Sequence, residues 1–105
     1  MIALIRKNID LIKDVCKKHH IRSLYLIGSA ADTGSGFTDD SDIDFLYRFK
    51  KEEIGEMEYA DNYFNFLFAL QELLHRKIDL VPEEKLKNPF FINSINKSKQ
   101  VVYES

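Results

Sequence analysis

The 105-residue sequence predicts an α/β fold in which up to four short strands are packed by helices. Two observations lead to this prediction. Segments in which apolar residues recur every three or four positions indicate helices, and short apolar or alternating runs indicate strands. The two kinds of segment follow each other along the chain, which is typical of layered α/β domains. The length suits one domain over residues 1–105, with no room for a separate substrate domain.

The first two elements are a helix and a strand. Residues 2–18 have the period of an amphipathic helix, which we expect to end near Lys17 and Lys18, because cations suit the negative end of the helix dipole. Residues 23–27 form a short apolar run closed by Gly28, as in a buried strand. A tight turn, a short helix and a loop are predicted over residues 28–36.

The later elements alternate in the same way. Apolar and polar side chains alternate over residues 42–47, which indicates a second strand, and residues 50–56 predict a solvated charged loop. A long helix is predicted over residues 57–75, followed by a third strand over residues 77–81 that Pro82 stops. The tail predicts a helix over residues 89–96 and a fourth strand over residues 100–103.

Charge and cysteine content argue against several classes of protein. The net charge of −2 gives no overall attraction to nucleic acid or to an anionic membrane, so we expect no direct nucleic-acid binding. The apolar N-terminal run is too short for a signal peptide or a membrane span. The single cysteine, Cys16, excludes an internal disulfide and fits a reducing compartment. We therefore predict a cytoplasmic protein.

A glycine and a serine follow the first predicted strand. Gly28 would let a phosphate approach the backbone closely, and the start of a short helix offers unpaired N–H groups and a positive dipole end. The hydroxyl of Ser29 can donate a further hydrogen bond. This pair is a candidate phosphate-binding turn, and the alternative is a plain turn with a helix cap.

Three aspartates are candidate metal ligands. Residues two apart on a strand point to the same face, so Asp42 and Asp44 should project together. Asp79 lies between two apolar residues of the third strand and should point to its polar face. If the two strands are neighbours, the three acids converge near Ser29, where Mg²⁺ would relieve their repulsion and bridge them to a triphosphate. The alternative is a solvated strand edge without a ligand.

Together these motifs resemble a known superfamily. A hydrophobic strand, Gly-Ser, a loop, Asp-hydrophobic-Asp and a third acid on a later strand resemble the DNA polymerase β-like nucleotidyltransferases. Residues 28–31, with the sequence Gly-Ser-Ala-Ala, and residues 41–45, with the sequence Ser-Asp-Ile-Asp-Phe, are most similar to the minimal nucleotidyltransferase (MNT) family. The resemblance spans nearly the whole chain. It implies the nucleotidyltransferase fold, with a small mixed sheet of three to four strands packed by helices.

The resemblance also implies roles for the matching residues. Gly28 and Ser29 would hold the β- and γ-phosphates of ATP, the substrate, and Asp42 and Asp44 would bind Mg²⁺ and hence the nucleotide. Asp79 would help to bind the metal or accept the proton of the acceptor hydroxyl. The reaction would transfer AMP with loss of pyrophosphate. Many such proteins resemble antitoxins of HEPN-domain ribonuclease toxins, and some attach AMP to a tyrosine of the toxin.

Two adjacent positions depart from the family pattern Gly-Ser-x-Ala-Arg-Gly. Asp32 and Thr33 stand where that pattern has arginine and glycine, and a carboxylate beside a triphosphate is electrostatically unfavourable. Three hypotheses therefore stay open. The chain is an enzyme that modifies a protein hydroxyl, a catalytically weakened antitoxin that occludes its toxin, or an enzyme that modifies a small molecule such as an aminoglycoside.

The second long helix is apolar on two sides. At about 100° per residue, one face collects the residues expected in the core, which are Tyr59, Tyr63, Phe66, Leu70 and Leu73. Phe64 and Phe68 lie on nearly the opposite side. We predict that these two phenylalanines contact a HEPN-domain partner or a second copy of the chain. The alternative is that the segment around residues 90–95 folds back over them.

Overall fold

The computed structural model describes residues 1–31 and 41–105, which form a four-stranded sheet with helices on both faces. The strands are β1 (Ile21–Ile27), β2 (Ile43–Phe49), β3 (Ile78–Pro82) and β4 (Gln100–Glu104). Their order across the sheet is β3-β2-β1-β4. β1 is antiparallel to β2 and to β4, whereas β2 and β3 run parallel. This architecture confirms the predicted mixed sheet.

Four α-helices accompany the sheet in the described ranges: α1 (Ala3–Lys7), α2 (Ile9–Lys18), α3 (Tyr59–Leu74) and α4 (Pro89–Ser98). The prediction of one continuous helix over residues 2–18 is wrong, because the segment breaks at Asn8. The Asn8 side-chain amide donates a hydrogen bond of 2.8 Å to the carbonyl oxygen of Leu4. Asparagine competes with the backbone for such bonds, which favours the end of one helix and the start of another.

One face of the sheet carries the larger core. Phe45 and Leu24 pack there against Phe66 and Leu70 of α3 and against Ile12 of α2, and all five side chains are fully buried. The face of α3 expected in the core is therefore the one that packs. None of the helices in residues 1–31 and 41–105 combines the length and the hydropathy that a membrane span needs.

The opposite face of the sheet is covered by α4. Leu46 follows Phe45 on β2 and so points to the other side, where it packs with Ile27 and with Ile95 of α4. This position excludes the alternative in which the C-terminal segment folds back over Phe64 of α3. Asn88 caps the start of α4, and its side chain accepts hydrogen bonds from two backbone amides of the first turn.

Candidate active site

Gly28 makes the turn at the end of β1. Its φ of +72° lies in the left-handed region, which glycine adopts without the strain that a Cβ adds. A Cβ at this position would also lie 2.6 Å from Oδ2 of Asp44. The backbone conformation and the close approach both require glycine, and they place the turn directly against an acid of the neighbouring strand.

Ser29 follows Gly28 in a 3₁₀ turn, Gly28–Ala30, and is half-buried. Ala30 and Ala31 are buried in the core, and this burial anchors the turn on the sheet. The described part of the predicted short helix is this one turn. The remainder of the predicted helix and loop, together with Asp32, lies outside the described residues.

The strand register brings two of the predicted acids together. Asp44 is paired with Ile27 of β1 on one side and with Asp79 of β3 on the other. Because β2 and β3 are parallel and in register, Asp44 and Asp79 lie side by side on one face of the sheet. Asp42 is exposed and lies one residue before the start of β2. The Gly28 turn and all three acids thus meet at one end of the sheet.

The three acids influence one another electrostatically. Asp44 is half-buried, and burial raises the pKa of its carboxyl, with the negative charges of Asp79 and then Asp42 raising it further. Asp79 is exposed and so keeps its water shell. The site is therefore a region of concentrated negative charge around one partly desolvated carboxylate.

A cation is the chemical partner that such a cluster favours. Within residues 1–31 and 41–105, no three His, Cys, Asp or Glu side chains are grouped closely enough to hold a metal ion by themselves. Mg²⁺ commonly takes only one or two protein carboxylates and completes its shell with water and substrate phosphates. Asp44 and Asp79 fit that mode, since they lie side by side, offer carboxylate oxygens and place Asp44 against the Gly28 turn, with Asp42 as a third acid nearby.

Arg76 lies beside the cluster, and the sequence patterns do not single it out. Its guanidinium donates a hydrogen bond of 2.6 Å to the carbonyl oxygen of Ser41, the residue before Asp42. The backbone N–H of Ile43 donates to the carbonyl oxygen of Lys77 at 3.0 Å. The starts of β2 and β3 are thereby joined twice. Helical and strand periods do not mark Arg76 because it belongs to the short connection between two elements.

An aromatic cavity lies beside β3, the strand that carries Asp79. Tyr47, Tyr59 and Tyr63 line a cavity of about 300 Å³ beside β3. Tyr47 and Tyr59 share a hydrogen bond of 2.7 Å between their hydroxyls. Burial raises the pKa of Tyr63, and the negative charge of Asp79 raises it further. A larger groove, of about 710 Å³, lies around Ile54.

Phe64 and Phe68 remain on the surface of α3. Their side chains are 49% and 57% exposed, and their rings stack with centroids 6.1 Å apart. Phe90 of α4 is 85% exposed and Phe91 48% exposed. Within residues 1–31 and 41–105, both rings stay about half exposed, and their contact with a partner or a second copy of the chain stays a prediction.

Comparisons with known proteins agree with this arrangement. Residues 10–105 match the family described as Polymerase beta, Nucleotidyltransferase. A protein of Methanocaldococcus jannaschii named as a candidate protein adenylyltransferase is 33% identical over 97 residues, which cover 85% of this chain and 92% of that protein.

Solved structures share the fold. A structure of a candidate minimal nucleotidyltransferase superposes with a TM-score of 0.72 at 22% identity, over 91% of this chain and 90% of that one. A chain of the complex between the tri-AMPylated HEPN toxin of Shewanella oneidensis and an MNT antitoxin superposes with a TM-score of 0.62 at 14% identity, over 95% of this chain and 72% of that one.

Proposed function

This chain belongs to the nucleotidyltransferase family of polymerase beta, and from that premise we propose that it transfers AMP from ATP to a hydroxyl of a partner protein. Gly28 and Ser29 hold the β- and γ-phosphates, and Asp42, Asp44 and Asp79 bind Mg²⁺. The partner is a HEPN-domain toxin, for which this chain is the antitoxin. We place the reaction in the cytoplasm, where ATP is abundant and a lone thiol such as that of Cys16 stays reduced.

The observation that carries this proposal is the contact between the phosphate turn and the central acid. The Gly28 backbone leaves no room for a Cβ beside Oδ2 of Asp44, and Asp44 is paired with Asp79 across the parallel strands. A triphosphate on the turn would therefore lie beside the acids. Bound Mg²⁺ would stabilise the partly desolvated carboxylate of Asp44, and this favours binding at that position.

The chemistry is an in-line displacement at phosphorus. The acceptor oxygen forms a bond to the α-phosphorus, the bond from that phosphorus to the bridging oxygen of the β-phosphate breaks, and pyrophosphate leaves. Asp79 is exposed and accepts the proton of the attacking hydroxyl. When bound, Mg²⁺ supplies charge stabilisation at the attacking and leaving oxygens.

A second function is favoured by the exposed pair on α3. Phe64 and Phe68 together present a stacked aromatic surface that a partner protein could bury. An antitoxin that occludes its toxin needs that surface and does not need the acids. Asp32, in place of the usual arginine, is the residue that would weaken catalysis in such a protein. Self-association and small-molecule acceptors such as aminoglycosides are further outcomes of the test.

The test is intact mass spectrometry of a co-purified pair. The chain is co-expressed with the protein encoded beside it, and the purified pair is incubated with Mg²⁺ and ATP. We expect a mass gain of one or more AMP groups on the partner and none with Asp44→Asn. A stable complex without a mass gain would support occlusion instead. If neither complex nor modification forms, acceptors would be sought among small molecules.

A further inference from the structure

Arg76 connects the two strands that carry the acids. It follows α3 by two residues and precedes Asp79 by three. Its guanidinium donates a 2.6 Å hydrogen bond to the carbonyl oxygen of Ser41, across a separation of 35 residues. A charged donor at this distance makes a short and strong hydrogen bond. One side chain therefore links the start of β3 to the residue that precedes Asp42.

Asp42 depends on such a link more than the other two acids do. Asp44 and Asp79 are paired within the sheet, so ladder hydrogen bonds fix their backbones. The pairing of β2 with β3 begins at Ile43, so Asp42 lies one residue outside the ladder and is exposed. The hydrogen bond from Arg76 holds the backbone at Ser41, the residue directly before Asp42.

We propose that Arg76 is a positioning residue for the metal site. By holding the carbonyl oxygen of Ser41, it keeps the backbone of Asp42 at the end of the sheet where Asp44 and Asp79 lie, so that the Asp42 carboxylate can join them when Mg²⁺ binds. The inference rests on the proposed nucleotidyl transfer and deepens it. Mutation of a residue that orients a metal ligand from outside the coordination shell commonly lowers the metal affinity by about 10- to 100-fold.

The experiment measures nucleotide binding by the full chain as a function of Mg²⁺ concentration. A fluorescent ATP analogue at fixed concentration is the probe, and the Mg²⁺ concentration that gives half-maximal binding is the quantity compared. The variants are Arg76→Ala and Arg76→Lys. Asn62→Ala is the matched control. The Asn62 side-chain amide also donates a hydrogen bond to a backbone carbonyl oxygen of another segment, that of His19, at 2.8 Å. Neither residue is close in sequence to the three acids.

We expect Arg76→Ala to raise the half-maximal Mg²⁺ concentration by about tenfold. Arg76→Lys should raise this concentration less, because its ammonium can still donate a hydrogen bond to the Ser41 carbonyl oxygen. Asn62→Ala should leave it unchanged. Melting temperatures of all variants identify loss of fold, and Arg76→Lys keeps the comparison valid if the alanine variant unfolds. The inference about Arg76 would be overturned, with the proposed function left standing, by an unchanged half-maximal Mg²⁺ concentration in both Arg76 variants. An equal rise of that concentration in Asn62→Ala would have the same meaning. If the unmodified chain shows no Mg²⁺-dependent binding, the proposed function fails first and the inference fails with it.

Discussion

The half-buried carboxyl of Asp44 experiences two neighbouring negative charges that the folded chain imposes on it. Burial is the larger cause of its raised pKa, and the charges of Asp79 and Asp42 add to it. A carboxyl whose pKa is higher in the folded than in the unfolded state destabilises the fold once it ionises. In the metal-free protein, the site therefore stores unfavourable charge that a cation would relieve.

We expect Asp44→Asn to raise the melting temperature of the metal-free protein at pH 7, because the amide keeps the shape and removes the charge. The gain should disappear as the pH falls below the ordinary aspartate pKa of 3.8, where both folded and unfolded Asp44 are protonated. Added Mg²⁺ and ATP should raise the melting temperature of the unmodified chain and leave that of Asp44→Asn unchanged. Calorimetry at pH 7 and pH 3 measures both effects, and a destabilised amide variant would contradict the metal site.

A second prediction concerns Gly28. An alanine there would take a left-handed conformation and place its Cβ against Oδ2 of Asp44. We expect Gly28→Ala to lower the free energy of unfolding by at least about 1 kcal/mol and to weaken ATP binding. Gly55→Ala is the matched control, because a Cβ on Gly55 meets nothing within 4 Å. Urea unfolding and nucleotide titration compare the two, and equal effects would contradict a special role for the Gly28 turn.

At the scale of elements, α3 ends in an unusual residue. His75, its C-cap, has φ 54° and ψ 37°. This is a left-handed conformation, in which residues other than glycine are strained. We expect His75→Gly to raise the free energy of unfolding by about 1 kcal/mol, measured by urea unfolding.

His20→Gly serves as the comparison, because His20 has φ 60° but its ring also hydrogen-bonds the carboxylate of Glu53 at 2.9 Å. The loss of that bond should reduce the gain at His20. A larger gain at His20 than at His75 would show that backbone strain does not decide the outcome.

The elements themselves follow largely from sequence periodicity, and their errors have local causes. The alternation over residues 42–47 predicts β2, and the placement of Asp79 among apolar neighbours predicts its face. The continuous helix over residues 2–18 fails because a single hydrogen bond from Asn8 to Leu4 competes with the helical pattern. A period describes a whole segment, so it does not register one side chain that bonds its own backbone.

Contacts between distant segments are beyond what periodicity predicts. The hydrogen bond from Arg76 to Ser41 and the one between Tyr47 and Tyr59 exist only once β2 lies beside β3 and α3. The Gly-Ser and Asp-x-Asp motifs could be identified because their own spacing carries chemistry. Arg76 has no such local signature, so its position emerges only from the folded chain.

At the scale of the whole molecule, the candidate catalytic residues and the exposed phenylalanines of α3 occupy different parts of the surface. The acids and the Gly28 turn lie at one end of the sheet. Phe64 and Phe68 lie on α3, on the side of that helix that the core does not use. An antitoxin of the proposed kind could therefore bind its toxin through α3 and modify a hydroxyl at the acids, with separate residues serving each task.

This separation leads to a prediction for partner binding. We expect Phe64→Ser/Phe68→Ser to weaken binding to the proposed HEPN-domain partner by at least about tenfold, because aromatic side chains at the centre of an interface commonly contribute more than 1.4 kcal/mol. Melting temperature should change little, since both side chains are about half exposed already. Titration calorimetry with the purified partner gives the affinity.

Phe90→Ser/Phe91→Ser is the matched control for that prediction, because it removes two exposed aromatic residues from α4 on the other face of the sheet. If exposed aromatic area alone drove association, both double variants would weaken binding alike, and α3 would have no special place in the complex. If only the α3 variant loses affinity while Asp44→Asn retains it, binding and catalysis are separable. Toxin neutralisation by Asp44→Asn would then decide between modification and occlusion, since an occluding antitoxin needs α3 alone.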